Sequence, residues 1–89
     1  MRPVARRPDR LLVGLGKAIR ELRTERGWSQ EELSLRTGVH RNYIGGIERA
    51  ERKPTIETVA VLAKALGVRA SELIARAERG LTPARRTDR

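Results

Sequence analysis

Apolar residues along this chain recur every three or four positions and never settle into strand-like alternation, so the pattern predicts helices from end to end of the core. Leu15, Ile19 and Leu22 make one stripe, predicting a first helix that ends near Arg26 at Gly27. Residues 29–37 read as a second helix in which Leu33 and Thr37, four apart, face inward. Its start carries Ser29 as N-cap, Glu32 three residues on to complete a capping box, and Trp28 and Leu33 at the two positions of a hydrophobic staple. Ile44 and Ile47 share the buried face of a third helix over residues 41–49. Pro54 cannot continue it, and Thr55 caps a fourth, in which Val59, Leu62, Ala63 and Leu66 face inward and Gly67 closes. A short fifth helix over residues 71–79 presents Leu73, Ile74 and Ala77.

The segment joining the second and third helices is the most informative. Gly38 suits the left-handed residue that ends a helix, and Val39 plugs the corner behind it. Opposite Ile44 and Ile47, the third helix turns outward Arg41, Asn42, Gly45, Gly46 and Arg49, a face without a large apolar side chain. Arg41 can donate two hydrogen bonds to guanine O6 and N7, and Asn42 can pair with adenine N6 and N7, each pair discriminating by roughly 1–3 kcal/mol. His40, just before the helix, has a base or a phosphate in reach, with helix start and backbone contact favoured. Arg49, Arg52 and Lys53 follow as phosphate anchors, and Tyr43 lies between the faces, its ring packing while its hydroxyl reaches a phosphate. Gly45 and Gly46 each cost about 1 kcal/mol in a helix interior relative to alanine. Two compensations are open: a helix sitting deep against the bases, or close packing on a neighbour.

Four segments, SQEELSLRTGV, YIGGIER, KPTIETV and LAKALGV, together resemble the lambda-repressor-like, Xre/Cro-type helix-turn-helix family over about Leu15 to Ala77. The stretch HRNYIGGIER is also similar to the recognition helix of restriction-modification controller proteins. The resemblance implies an all-α, compact five-helix fold whose second and third helices form the helix-turn-helix, the third reading the major groove. It implies that Gln30 touches a phosphate and that the position of Gly46 lies against a base, which here only backbone can meet. Arg23 puts a charge on the edge of the first apolar stripe and needs a partner, and the resemblance supplies Glu48 as a structural ion pair. It also places dimerisation near the last helix, at Leu73, Ile74 and Ala77.

Charge sharpens this reading. The net +9 arises from 20 basic and 11 acidic residues. Residues 1–10 hold four arginines and one aspartate, residues 80–89 three arginines and one aspartate, and both are expected to be disordered basic arms flanking a domain over residues 11–79. Within that domain the excess is concentrated between His40 and Lys53, where a reader helix needs it.

With 89 residues there is room for one small domain and no second, ligand-sensing one, so no small-molecule ligand or cofactor is expected. The absence of cysteine excludes a disulfide framework and a zinc finger, and a reducing cytoplasm is the default compartment. The apolar run from Leu11 to Leu15 is too short for a membrane span or a signal peptide. One histidine and no aspartate inside the helical region leave no convincing nucleophile, metal set or acid/base pair, so no enzyme is expected. Trp28 and Tyr43, the only aromatics, make no stacking platform for single-stranded nucleic acid.

The expectation is therefore a sequence-specific, double-stranded DNA-binding transcriptional regulator, working as a homodimer on a palindromic operator. The competing reading is an antitoxin-like or bridging module that uses the same scaffold to hold another protein.

Overall fold

A computed structural model describes residues 9–79, so the expected arms at 1–8 and 80–89 lie outside the described residues. Five helices follow one another: α1 (Arg10–Glu25), α2 (Gln30–Thr37), α3 (Arg41–Glu48), α4 (Ile56–Leu66) and α5 (Ala70–Arg79). Every regular element among the described residues is a helix, and none is long and apolar enough to cross a membrane.

Local chemistry explains most boundaries. Ser29 Oγ accepts from the Glu32 N–H at 2.9 Å and Thr55 Oγ1 from the Thr58 N–H at 3.1 Å, as the caps require. The capping box is only half made, because Glu32 turns its carboxylate to Arg36 one turn on, at 2.8 Å. The first helix starts earlier than its apolar stripe suggests. Asp9 Oδ1 accepts from the Leu11 and Leu12 N–H groups, so Arg10, expected in a disordered arm, is the first helical residue. Gly38, at φ 79°, ends α2, and the Thr37 hydroxyl stitches the corner by donating to the Leu33 carbonyl and accepting from the Val39 N–H.

The core is one cluster drawn from all five helices: Leu15, Ile19 and Leu22 of α1, Leu33 of α2, Ile44 and Ile47 of α3, Val59, Leu62 and Leu66 of α4, and Leu73 and Ala77 of α5. Burying each of the larger side chains contributes about 1.5–3 kcal/mol. Leu73 and Ala77 are 0% exposed, which corrects their assignment to a dimer interface. The last stripe closes the core of the described domain, and of its three residues Ile74 alone remains partly open at the edge.

Two glycines in α1 bring neighbouring helices unusually near. A Cβ on Gly14 would collide with the Ala77 carbonyl of α5, and one on Gly16 would stand 2.5 Å from the Ile47 and Glu48 carbonyl oxygens at the end of α3. Thus α1 runs as a spine touching both the last helix and the end of the third.

The end of α3 is closed by a Schellman turn on the wrong residue type. The Glu51 N–H reaches the Gly46 carbonyl at 2.7 Å and the Ala50 N–H the Ile47 carbonyl at 3.0 Å, with Ala50 left-handed at φ 62°. Glycine is the ordinary occupant, because a Cβ in this conformation costs on the order of 1 kcal/mol. Ala50→Gly is therefore expected to stabilise the fold by about 0.5–1 kcal/mol and to raise the thermal midpoint by about 4 °C, measured by circular dichroism. A midpoint unchanged or lowered would show that the turn is not strained.

Candidate nucleic-acid interface

The first turn of α3 is built by His40, whose Nδ1 accepts from the Asn42 N–H at 2.9 Å. One ring nitrogen is thereby committed to the helix start, which favours its capping role over base reading. Arg41 and Asn42 then project as exposed residues. The Arg41 guanidinium lies 3.8 Å from the Glu31 carboxylate of α2, an exposed pair that solvent screens and that yields readily to another acceptor. Nothing in the pattern of the sequence singled out Glu31 as its neighbour.

Behind this face, α3 is braced by a buried ion pair. Arg23 Nε and Nη2 donate to Glu48 Oε2 and Oε1 at 2.8 and 2.9 Å, and Arg23 Nη1 donates to the Trp28 carbonyl at 2.8 Å. The Glu48 side chain is only 4% exposed, so the fork-to-fork geometry and the additional hydrogen bonds are what make the buried charges tolerable. The hydrogen bond to Glu48 holds the Arg23 pKa above its ordinary value against the opposing effect of burial, with Coulomb attraction adding to it. A raised basic pKa adds stability that is complete below the unfolded-state value and is lost only as pH climbs through the folded-state one, so this contribution is intact across neutral pH.

The remaining expected contacts divide. Gln30, at the first position of α2, donates one amide hydrogen from Nε2 to Glu48 Oε1 at 2.9 Å and so joins the brace. Tyr43 packs its ring against the core and donates its hydroxyl to the Lys53 carbonyl at 3.1 Å, which ties the segment after α3 back to the helix. Arg49 follows α3 as its C-cap, exposed and paired with Glu51 at 3.1 Å. Arg52 and Lys53 are also exposed. Arg52 lays its guanidinium over the Tyr43 ring, 5.3 Å from the centroid, and Arg36 sits 4.0 Å over Trp28, which packs on the core as a staple should.

Gly45 and Gly46 are not the open outward face expected of them, and of the two compensations the structure shows close packing. Both are buried, and the atoms that bury them belong to this chain: Arg49 Nη1 and Gln30 Oε1 near Gly45, and the stem of Arg52 across Gly46. Gly46 is thus not an open base-contacting position, because the chain doubles back over it after Ala50. What α3 leaves exposed is Arg41 and Asn42 in its first turn, with Arg49, Arg52 and Lys53 exposed after its end.

Removing the carboxylate tests the brace. Glu48→Ala leaves the Arg23 guanidinium buried and unpaired and frees Gln30, and is expected to cost about 3 kcal/mol in urea unfolding. A loss below about 1 kcal/mol would mean that the pair does not hold α3.

Residues 19–73 match a family model described as helix-turn-helix. Control protein C.SmaI from Serratia marcescens is 42% identical over 62 residues, spanning 70% of this chain and 74% of that protein. Among solved structures, the restriction-modification controller protein C.AhdI from Aeromonas hydrophila superposes with a TM-score of 0.67 at 44% identity, covering 70% of this chain and 94% of that one. The C.Esp1396I controller, solved as a tetramer with its natural 35 base-pair operator, superposes with a TM-score of 0.73 at 30% identity, covering 82% and 96%.

Proposed function

Because this chain belongs to the helix-turn-helix family, we propose that it is a transcriptional regulator of the restriction-modification controller type. It binds a specific double-stranded DNA operator as a homodimer with α3 in the major groove. The observation that carries the reading is the exposed first turn of a rigidly braced α3, with Arg41 and Asn42 side by side and three cations following its end. The controllers it resembles include one held on its operator, which supports the same mode here.

In this reading Arg41 and Asn42 carry base recognition, and Arg49, Arg52 and Lys53 hold the backbone. Gln30 contributes through the amide hydrogen left over from its bond to Glu48, beside the free N–H groups that open α2. The protein acts by occupying DNA and performs no catalysis, and its place of work is the cytoplasm. With Leu73 and Ala77 committed to the core, the second copy meets a surface of which Ile74 is the only one of the three expected residues still partly exposed.

Selection of bound duplexes from a random library provides the test. A palindrome is expected, with half-sites about one helical turn, roughly 34 Å, apart. Arg41→Ala should erase preference at one base of each half-site, a loss worth about 1–3 kcal/mol. Lys53→Ala should leave the motif intact, weaken all sequences alike and lower the salt slope by about 0.9. Survival of the full motif in Arg41→Ala would remove Arg41 as the reader, and absence of any enriched motif with the native protein would remove the operator reading altogether.

A further inference from the structure

The covering of Gly46 has a partner-specific geometry. A Cβ there would run into Arg52 Cγ and stand 3.3 Å from Arg52 Cβ and 3.5 Å from Cδ, so the stem of Arg52 lies flat along α3 at the point where the helix has no side chain. Backbone hydrogen bonds hold it there: the Glu51 and Arg52 N–H groups both reach the Gly46 carbonyl, at 2.7 and 3.2 Å, across the left-handed Ala50. The guanidinium ends over the Tyr43 ring, and Tyr43 is itself tied to the Lys53 carbonyl. Gly45 differs, since what a Cβ would meet there first is Arg49 Nη1, the far end of a flexible side chain, at 3.1 Å.

We propose that Gly46 is a positioning residue for Arg52, its missing side chain forming the seat that fixes the guanidinium beside the reader helix before a DNA phosphate arrives. The proposal rests on the DNA-binding reading above. A long, flexible cation normally loses rotamer freedom when it binds, and a stem already laid along the helix has lost that freedom on folding instead. The ring face of Tyr43 holds the guanidinium without consuming its in-plane N–H donors, which stay available to phosphate oxygens. The glycine is therefore kept in a helix interior, where alanine would be locally better, for the sake of a residue six positions on.

The experiment compares the full chain with Gly46→Ala, Arg52→Ala and the double variant. In free protein, the Arg52 δ-methylene protons are expected to resonate upfield, shifted by the Tyr43 ring, and to return toward unshifted values in Gly46→Ala. On the selected duplex, each single variant should bind roughly tenfold more weakly, with a salt slope lower by about 0.9. The double variant should bind no more weakly than Arg52→Ala, and base preference should be unchanged in all. Losses that add, an altered base preference in Gly46→Ala, native-like binding by Gly46→Ala, or an unshifted Arg52 resonance in the native chain would each overturn the proposal. If Gly46→Ala does not fold, the double variant, which lacks the obstructing stem, decides by whether it matches Arg52→Ala. Native protein without salt-dependent duplex binding would sink the DNA reading itself, and the Arg52 resonance would report separately on the seat.

Discussion

One carboxylate holds the reader helix in place. Glu48, at the last residue of α3, receives two hydrogen bonds from Arg23 of α1 and one from Gln30 of α2, and so joins three helices at a point nearly closed to water. The same Arg23 binds the Trp28 carbonyl, fixing the turn that leads into α2. Buried charge is costly unless its hydrogen-bonding capacity is met, and here it is met only when all three helices are in register. That requirement turns an electrostatic liability into a geometric constraint on α3. Gly16 reinforces it by letting α1 touch the carbonyl end of the same helix.

With its rear held this way, α3 can leave its front exposed. Ile44 and Ile47 are fully committed to the core, His40 caps the first turn, and Arg41 and Asn42 need no internal partner to keep their helix in place. The cations beyond the helix are organised by a different device. A left-handed alanine reverses the chain, Tyr43 clasps the Lys53 carbonyl, and Arg52 lies back over Gly46. Strain at Ala50 and glycine inside a helix are both local costs, and both lie where the chain turns back and lays Arg52 along α3. A surface of this kind draws polyanions through many weak contacts and draws sequence discrimination from very few.

Much of this was legible in the order of residues. Ser29, Thr55, Gly38 and Gly67 act where their chemistry places them, because caps and corners are settled within three or four residues. The inward stripes were legible for the same reason, and Arg23 and Glu48 pair as the family resemblance implied. Asp9 was missed although it stands two and three residues before the Leu11 and Leu12 N–H groups it caps, since the surrounding arginines and prolines read as an arm. Gly14 and Gly16 carried a signal too: glycine inside a helix points to close approach, and the helices they admit are α5 and α3.

What sequence alone determined, then, is everything decided by neighbours along the chain: five helices, their caps, the glycine corner, and a third helix with arginine and asparagine at its start. Tertiary structure decided which of those groups remain free. Leu73 and Ala77 form an apolar stripe that suits a dimer or a core equally well, and the packing of α1 and α4 on α5, with α1 closest at Gly14 and Ala77, assigns it to the core. Gln30 and Tyr43 carry hydrogen-bonding groups that suit a phosphate, and in the fold one Gln30 amide hydrogen is given to Glu48 and the Tyr43 hydroxyl to the Lys53 carbonyl. Gly46 looks like open helix face until Arg52 folds across it. A periodic pattern states which way a side chain points, whereas its availability depends on what arrives there from a distant part of the chain, and that meeting is set by the packing of whole helices.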